Sequence, residues 1–405
     1  MAVRGCPMKA PADPAGLLGP SRARPMGLPA WDHSNLTALK HSHRFHFAPV
    51  NRSADEWATA IRASQFSTDC SKLLLVEDDM NNSGIGFTAK IWSFALLLAV
   101  RQGRVLLEVP RQAGVSRWCD RPPFSFQCLY EDWSHCQIPP PGTPEVVPGG
   151  RPLKMSKWPH LAPVVRTGLG RLHRQGMLWW SSGRSPIPSA EAFLFRPRPW
   201  VRAIGDCLMQ ESGLLPGKFL SIHIRHSKEK ADEGKKLHVQ LPVFKAYHVL
   251  TDALVLDTGI RHVFLQTASP AALTDFMQYA LMRNLSISYT DNPRSENDAW
   301  GGWQHGSEME QATVGAVNAY VGSLAAIVVS PEISIWTDFL WKTLRTTSSP
   351  SHGGRQIAPL FAVRCRPSLQ AASAFSVFGP LANVSELPSV DRECAVRARI
   401  HKKSG

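Results

Sequence analysis

Between residues 218 and 344 the sequence alternates short apolar runs with longer amphipathic stretches, and this alternation constrains the fold more than any other feature. Short apolar and β-branched runs predict strands, and the stretches between them predict helices. The predicted strands are FLSIHIR from Phe219, HVFLQT from His262, LSISY from Leu285 and AAIVVS from Ala325. The predicted helices cover about 242–257, 270–282, 307–322 and 335–344. Strict alternation with short connections indicates a parallel, doubly wound sheet.

A second α/β block precedes this one. Lys72–Glu77 predicts a strand, about Lys90–Arg101 a helix, and Arg104–Val109 a second strand, which together form a βαβ unit. We therefore divide the chain into four parts. These are a flexible N-terminal segment over 1–68 with at most a short helix near 55–64, an N-terminal α/β lobe with a cysteine-rich loop over 69–215, a C-terminal Rossmann-like lobe over 216–346, and a C-terminal tail over 347–405.

The charge of the chain restricts its partners. The 45 Lys and Arg residues exceed the 32 Asp and Glu residues, which gives a formal net charge of +13. This excess favours an anionic partner without deciding between nucleic acid, a membrane surface and a nucleotide. Because no helix-turn-helix, zinc-finger or RNA-binding signature accompanies the scattered cations, we expect no nucleic-acid partner.

Cysteines and asparagines indicate the compartment. Cys119, Cys128 and Cys136 share one aromatic loop and lack the paired spacing of a zinc site. We favour lumenal disulfides there, with buried free thiols as the alternative. N-glycosylation sequons begin at Asn35, Asn51, Asn81, Asn284 and Asn383. Chance would give about one or two, so we expect a glycoprotein of the secretory pathway.

Membrane attachment is expected only through an anchor that is not evident in this chain. The longest apolar run, Ile91–Val100, is about half the length that spans a bilayer and predicts a buried helix. The Arg- and Pro-rich start of the chain fits a poor transit peptide or a linker rather than a signal peptide. The alternative is that the protein is not lumenal.

Four polar side chains mark a candidate binding site. His223 and Arg225 end one predicted strand, and Thr267 and Ser330 end neighbouring ones. Ligands of a doubly wound sheet bind beyond the carboxyl ends of its strands, so we expect these side chains to converge on one crevice. A guanidinium donates two parallel hydrogen bonds to phosphate, which predicts a pyrophosphate site. The alternative is an Arg–carboxylate surface pair beside a satisfied histidine.

A Gly-rich turn gives a second nucleotide signal. Gly84-Ile-Gly86-Phe-Thr-Ala89 matches G-x-G-x-x-A, and Glu108 ends the next strand, as in a dinucleotide-binding fingerprint. About six residues separate the first strand from Gly84, however, whereas the dinucleotide turn follows its strand directly. A turn that needs glycine only for its backbone geometry remains an alternative.

Other chemistries have less support in the sequence. The acidic run Glu77-Asp78-Asp79 is more typical of a solvated turn than of a metal site. A Walker A pattern and the G-x-S-x-G pattern of serine hydrolases are both absent.

Together these blocks resemble the α-1,6-fucosyltransferases, the family of core-fucosylating enzymes and rhizobial Nod-factor fucosyltransferases. The resemblance covers about residues 70–345 in patches. His223-Ile-Arg225-His226 is similar to the H-V-R-R motif, whose first arginine holds the GDP pyrophosphate. Glu233 falls at an acidic residue implicated in catalysis, and Tyr247 falls at a tyrosine of the next helix. Residues 262–269 resemble the V-Y-x-A-T-D-D strand, and Trp300-Gly-Gly-Trp303-Gln-His305 resembles the W-S-A-G-L-H loop. Ser323 and Ser330–Ser334 lie near the last donor motif, and the Gly84–Gly86 turn is similar to the loop over the nucleotide.

Three motifs depart from the family pattern. His226 replaces the second arginine, Thr267-Ala268-Ser269 replaces T-D-D, and Asn318 stands at the aspartate that holds guanine. An amide can hydrogen-bond guanine but lacks the charge-assisted contact of a carboxylate.

The resemblance implies a GT-B architecture of two Rossmann-like lobes, with the acceptor on the N-terminal side. It implies transfer of fucose from GDP-fucose to a glycan hydroxyl by inverting single displacement in the Golgi lumen, with no metal and no cofactor. Arg225 would stabilise the departing GDP, Glu233 would act as the base, and Lys230 would assist. Donor contacts are expected from His223, His226, Gly84, Gly86, Tyr247, Thr267, Asn318, Ser330 and Ser334, and acceptor contacts from Trp300, Trp303 and His305.

Two other functions remain open. A catalytically inactive GDP-sugar or glycan binder of the same fold would keep Arg225 and dispense with Glu233. A dinucleotide-dependent oxidoreductase would bind through Gly84 and Glu108.

Overall fold

The computed structural model describes residues 2–3, 54–79, 84–109, 118, 125–138, 153–155, 187–228, 231–232, 241–296, 308–331, 360–365 and 394–399. The chain divides into two compact units, one of residues 13–198 and one of residues 1–12 with 199–405. Strand β1 (Ala2–Val3) belongs to the second unit. The prediction of an α/β fold with parallel sheets is confirmed in both units.

The unit of residues 13–198 contains a small parallel sheet. Its elements are α1 (Ala54–Gln65), β2 (Leu73–Glu77), α2 (Ile85–Arg101), β3 (Val105–Val109), β4 (Leu153–Lys154) and α3 (Ile187–Leu194). The strand order is β3-β2-β4, and Leu73 pairs with Val105 in parallel register. Helix α1 packs against α2 and α3, and its Ile61 is buried. The segment predicted as a flexible lead-in therefore contributes a packed helix.

Helix α2 begins five residues earlier than the sequence suggested. Ile85, Ala89, Trp92 and Leu96 are all buried, and their spacing of three to four residues forms one apolar stripe. Gly84 is the N-cap in an extended conformation, with φ −66° and ψ 159°. The Gly-rich stretch predicted as a turn is therefore the first part of a helix.

A disulfide and an aromatic cluster hold this unit together. Cys70 and Cys136 form a disulfide across 66 residues, which confirms the prediction of disulfides, and Cys128 is also disulfide-bonded. The rings of Trp92 and Trp133 meet edge to face with centroids 4.8 Å apart. Because the disulfide uses both thiols, the cluster of Cys70, His135 and Cys136 offers no thiolate ligands to a metal.

The other unit is built on a seven-stranded sheet. Its elements after β1 are α4 (Pro199–Ser212), β5 (Leu220–Ile224), α5 (Phe244–Thr258), β6 (His262–Thr267), α6 (Pro270–Arg283), β7 (Ser286–Thr290), α7 (Glu308–Ser323), β8 (Ile327–Pro331), β9 (Leu360–Cys365) and β10 (Cys394–Arg399). The strand order is β1-β7-β6-β5-β8-β9-β10, parallel except for the antiparallel pair β9–β10. Counted from β5, the order 3-2-1-4-5-6 is that of the dinucleotide-binding fold.

Two boundaries differ from those drawn on the sequence. Helix α4 groups with the seven-stranded sheet, whereas the sequence placed it in the N-terminal lobe. The segment predicted as a C-terminal tail contributes β9 and β10, which extend the sheet beyond β8.

Around β5 one face of the sheet is apolar, and the other carries polar side chains beside buried apolar ones such as Phe264, which pairs with Ser221. Leu220, Ile222 and Ile224 pack into a buried core with residues of α5 and α6. The alternate residues Ser221 and His223 are also buried, yet they are polar. The amide of Gln266 on β6 donates to the Ser221 hydroxyl at 2.8 Å. A hydrogen-bonded polar layer thus lies on the face opposite to the apolar core.

Candidate functional site

The candidate site lies where the strand order of the large sheet reverses, between β5 and β8. Ile222 pairs with Val329 across these strands, so the next residues, His223 and Ser330, lie side by side. Nδ1 of His223 and the Ser330 hydroxyl are hydrogen-bonded at 2.9 Å, and both side chains are buried. Open α/β sheets bind ligands at this reversal point, beyond the carboxyl ends of the strands.

His223 is held in its neutral form. Burial lowers its pKa well below the ordinary value of 6.5, and the positive charge of Arg225 lowers it further. The side chain therefore contributes a neutral imidazole with one ring nitrogen engaged by Ser330. Such a group can orient a polar ligand without adding charge.

Arg225 directly follows the last residue of β5 and is half-buried. Its positive charge is the second cause, after burial, of the lowered pKa of His223. A fixed positive charge beside a neutral imidazole suits an anionic group better than a cationic one.

Thr267 ends the neighbouring strand, where it pairs with Ile224 of β5. Its hydroxyl accepts a hydrogen bond from the Ser269 amide at 3.1 Å. Ser269 is in turn the N-cap of α6, and its hydroxyl accepts from the Ala272 amide at 3.0 Å. Both side chains therefore help to define how the chain leaves β6 and enters α6.

Glu296 connects three loops at the carboxyl edge of the sheet. One carboxylate oxygen accepts from the Ser269 hydroxyl and from the Ala271 amide, each at 2.7 Å. The other lies 4.0 Å from Nδ1 of His226. The Lys228 amide donates to the Glu296 carbonyl at 2.9 Å. The loop that carries Arg225 is thus tied to the loops that follow β6 and β7.

Arg294 fixes the ends of two strands. Its guanidinium donates to the carbonyls of Thr290 at 2.7 Å, Asn292 at 3.0 Å and Thr267 at 3.1 Å. It also lies over the Tyr289 ring, 5.1 Å from the centroid. Burial lowers the Arg294 pKa, but the three carbonyls and the ring compensate for the loss of water around the cation.

Sequence reasoning missed Arg294 and Glu296. Both lie in the stretch DNPRSEN, which directly follows β7. The rule that selected His223 and Thr267, namely polar residues at the end of a strand, does not reach them, because β7 ends at Thr290. Their contacts with other loops could not be read from the sequence because loop residues carry no periodic signal.

Tyr247 and Asn318 are placed by the structure in buried surroundings. Tyr247 packs in the apolar core with Leu220 and Ile222, on the face opposite to His223, and burial raises its pKa. Asn318 lies within helix α7, which is buried along residues 312–323. Its side-chain oxygen has no hydrogen-bond partner among the described residues.

The remaining predicted site residues fall into two groups. Gly84 and Gly86 belong to the unit of residues 13–198, at the start of α2. Lys230, Glu233, Trp300, Trp303, His305 and Ser334 lie outside the described residues.

Two acidic residues of that unit are engaged in structural contacts. The Glu108 carboxylate accepts from the backbone amides of Phe126 at 2.8 Å and Gln127 at 3.3 Å. The Asp78 carboxylate accepts from the Trp118 indole at 2.6 Å, and both side chains are buried. The Glu108 carboxylate, which the dinucleotide fingerprint would use to bind a ribose, is therefore occupied by backbone amides of its own unit.

The chain matches no family model and no curated protein sequence. It is similar to a solved structure of a mutant of Arabidopsis thaliana FUT1 in complex with GDP, with 12% sequence identity and a TM-score of 0.39. The similarity covers 78% of this chain and 75% of that one. Across the part of the chain that the structure describes, every helix is too short or too polar to cross a bilayer. Function has to be inferred from the residues themselves.

Proposed function

We propose that the protein is a glycosyltransferase that uses a nucleoside-diphosphate sugar, with GDP-fucose as donor and a glycan hydroxyl as acceptor. The observation that carries the proposal is the pair of His223 and Arg225 at the reversal point of the sheet. A neutral imidazole hydrogen-bonded to Ser330 and a neighbouring guanidinium provide one orienting group and one fixed charge. A guanidinium can donate two parallel hydrogen bonds to a phosphate group of a diphosphate.

The strand order supports the same class of ligand. The order 3-2-1-4-5-6 is typical of sheets that bind nucleotides at the crevice between the first and fourth strands. His223 lies on the first of these strands and Ser330 on the fourth. The polar positions selected from the sequence therefore coincide with the position where this fold binds nucleotides.

The mechanism we propose is an inverting single displacement. The acceptor hydroxyl attacks the anomeric carbon, the bond from that carbon to the diphosphate breaks, and GDP leaves with the electron pair. Arg225 stabilises the negative charge that grows on the leaving diphosphate. Glu233 takes the proton of the acceptor hydroxyl, Lys230 adds positive charge near the phosphates, and Trp300 and Trp303 stack on sugar rings.

A nucleotide-binding screen tests the proposal. The full chain is heated with GDP, GDP-fucose, UDP-sugars or NAD, and unfolding is followed by fluorescence. A ligand at about a hundred times its dissociation constant adds about 2.7 kcal/mol to the free energy of unfolding. We expect stabilisation by GDP and GDP-fucose, and a response to NAD alone would favour the oxidoreductase instead.

Arg225→Ala identifies the site. Loss of charge-assisted hydrogen bonds to phosphate costs about 1.5–3 kcal/mol, which weakens GDP binding about 10- to 150-fold. Arg261→Ala is the matched control, because Arg261 is an exposed arginine at the amino end of β6, whereas Arg225 lies at the carboxyl end of β5. Equal GDP affinity in Arg225→Ala and the wild type would contradict the assignment.

A non-catalytic GDP-sugar binder is the second candidate. The T-D-D motif is replaced by Thr267, Ala268 and Ser269, so both of its acids are absent. The hydroxyls of Thr267 and Ser269 accept hydrogen bonds from backbone amides at the start of α6. Binding of GDP-fucose without its hydrolysis and without transfer to a panel of glycans would identify this function. Release of GDP that requires an acceptor would identify the transferase.

A further inference from the structure

The turn between α6 and β7 presents a sequon to solvent. Asn284-Leu285-Ser286 follows the last residue of α6, and both Asn284 and Ser286 are exposed. Leu285 is half-buried and packs against the core of the sheet. The middle residue therefore anchors the turn, while the residues on either side face water. Among the five sequons of the chain, this is the one that the structure describes.

The backbone conformation explains part of this sequence. Asn284 adopts the left-handed conformation, with φ 53° and ψ 49°, and its backbone N–H donates to carbonyls of the last helical turn. Glycine and asparagine are preferred at such helix ends, so the backbone alone accounts for an asparagine there. It does not account for a hydroxyl residue two positions later, at the start of a strand, where β-branched and aromatic residues are favoured.

The end of α6 beside this turn exposes apolar side chains as well as the charged Arg283. On the last turns of α6, Leu281 is 84% exposed, Met282 78% and Met277 44%. Met277 and Leu281 lie one helical turn apart on the same face of α6. An exposed apolar patch marks an interaction site or an aggregation liability. An N-linked glycan is bulky and hydrophilic, and one attached at Asn284 would lie beside this apolar helix end.

We propose that Asn284 carries an N-linked glycan that covers the exposed end of α6. In the attachment reaction the Asn284 amide nitrogen attacks the first sugar carbon of a lipid-diphosphate-linked oligosaccharide. The bond from that carbon to the diphosphate oxygen breaks, the lipid diphosphate leaves with the electron pair, and the amide proton passes to a base of the transferring enzyme. The sequence pattern, the exposure of both recognition residues and the outward turn all favour this modification.

The test uses the full chain purified from eukaryotic cells. The intact protein is deglycosylated by an amidase in heavy-oxygen water and then digested, so that an occupied Asn284 becomes a labelled aspartate. Ser286→Ala removes the acceptor pattern without changing Asn284, and Ser286→Thr keeps the pattern. We expect labelled Asn284 in the wild type and in Ser286→Thr, and complete loss of label in Ser286→Ala.

Two results would overturn the proposal. An unlabelled wild-type peptide would show that the site is not occupied, whatever the state of the other sequons. A label that persists in Ser286→Ala would show that it arises from chemical deamidation. Circular dichroism of both variants reports whether each has folded.

A second measurement addresses the covering role. We expect Ser286→Ala to self-associate at lower concentration than the wild type in analytical ultracentrifugation, and Leu281→Ser in that background to reverse the change. Equal self-association of glycosylated and unglycosylated protein would contradict the proposal that the glycan covers the end of α6.

Discussion

The buried His223 makes stability depend on pH in a predictable direction. Its pKa in the folded protein is lowered well below 6.5, first by burial and second by Arg225. As the pH falls below about 6.5, the unfolded chain binds a proton at this histidine and the folded chain does not. The folded state therefore loses stability as the medium is acidified.

The size of the effect follows from linkage. One such histidine lowers the free energy of unfolding by about 1.4 kcal/mol at about pH 5.5 and by about 2 kcal/mol at about pH 5, as long as the pH stays above the folded pKa. This contribution is present in full above the unfolded pKa and is lost towards acid. Urea unfolding at several pH values between about 5 and 7.5 measures it.

Two variants isolate the contribution. His223→Asn removes the titrating group and keeps a polar atom near the position of Nδ1, so the decline towards acid should become shallower by the amounts given above. Ser330→Ala removes the hydroxyl that meets the imidazole at 2.9 Å. It should lower stability by about 1 kcal/mol at every pH and leave the decline unchanged. If the stability of His223→Asn falls towards acid as steeply as that of the wild type, the conclusion that His223 is neutral in the folded protein is wrong.

Two further changes test packing and the loop contacts of the same unit. A Cβ at Gly205 would lie 2.5 Å from the Tyr320 ring, so Gly205→Ala should lower the free energy of unfolding by about 1 kcal/mol, because overpacking costs about 1–3 kcal/mol and the gain in helix propensity is only about 1 kcal/mol. In a Tyr320→Ala background the same substitution should stabilise the protein. An equal loss of stability in both backgrounds would contradict the contact. Glu296→Ala should lower the free energy of unfolding by about 1–2 kcal/mol, because its hydrogen bonds to Ser269 and Ala271 are lost. Urea midpoints measure this loss, and Glu296→Gln should recover part of it. An unchanged free energy of unfolding in both variants would mean that water replaces these hydrogen bonds.

The four central strands of the large sheet, β5 to β8, were predictable to within one or two residues. Buried parallel strands are continuous apolar runs, and β5, β6 and β8 have that form. The start of α2 was missed because Gly84 and Gly86 are poor helix formers, although the apolar stripe through Ile85 was already present. Strands β9 and β10 were missed because their pairing is non-local and the surrounding sequence is rich in Ser, Gly and Pro.

The candidate site was predictable only in part. The rule for parallel sheets placed His223 and Ser330 at the ends of neighbouring strands, and a hydrogen bond joins them. It could not show that Tyr247 faces the apolar core, because a helix position predicts a face only when its partners are known. Nor could it show that Glu296 links the loops after β5, β6 and β7, because these contacts depend on tertiary structure.

The two-faced character of β5 restricts how this sheet can assemble. If β5 paired one residue out of step with β6 and β8, Ser221 and His223 would turn into the hydrocarbon interior and Ile222 would enter the polar layer. Each misplaced polar group would then lack a partner in a dry environment. The polar side chains of β5, among them His223 of the candidate site, therefore also act against misaligned assembly during folding.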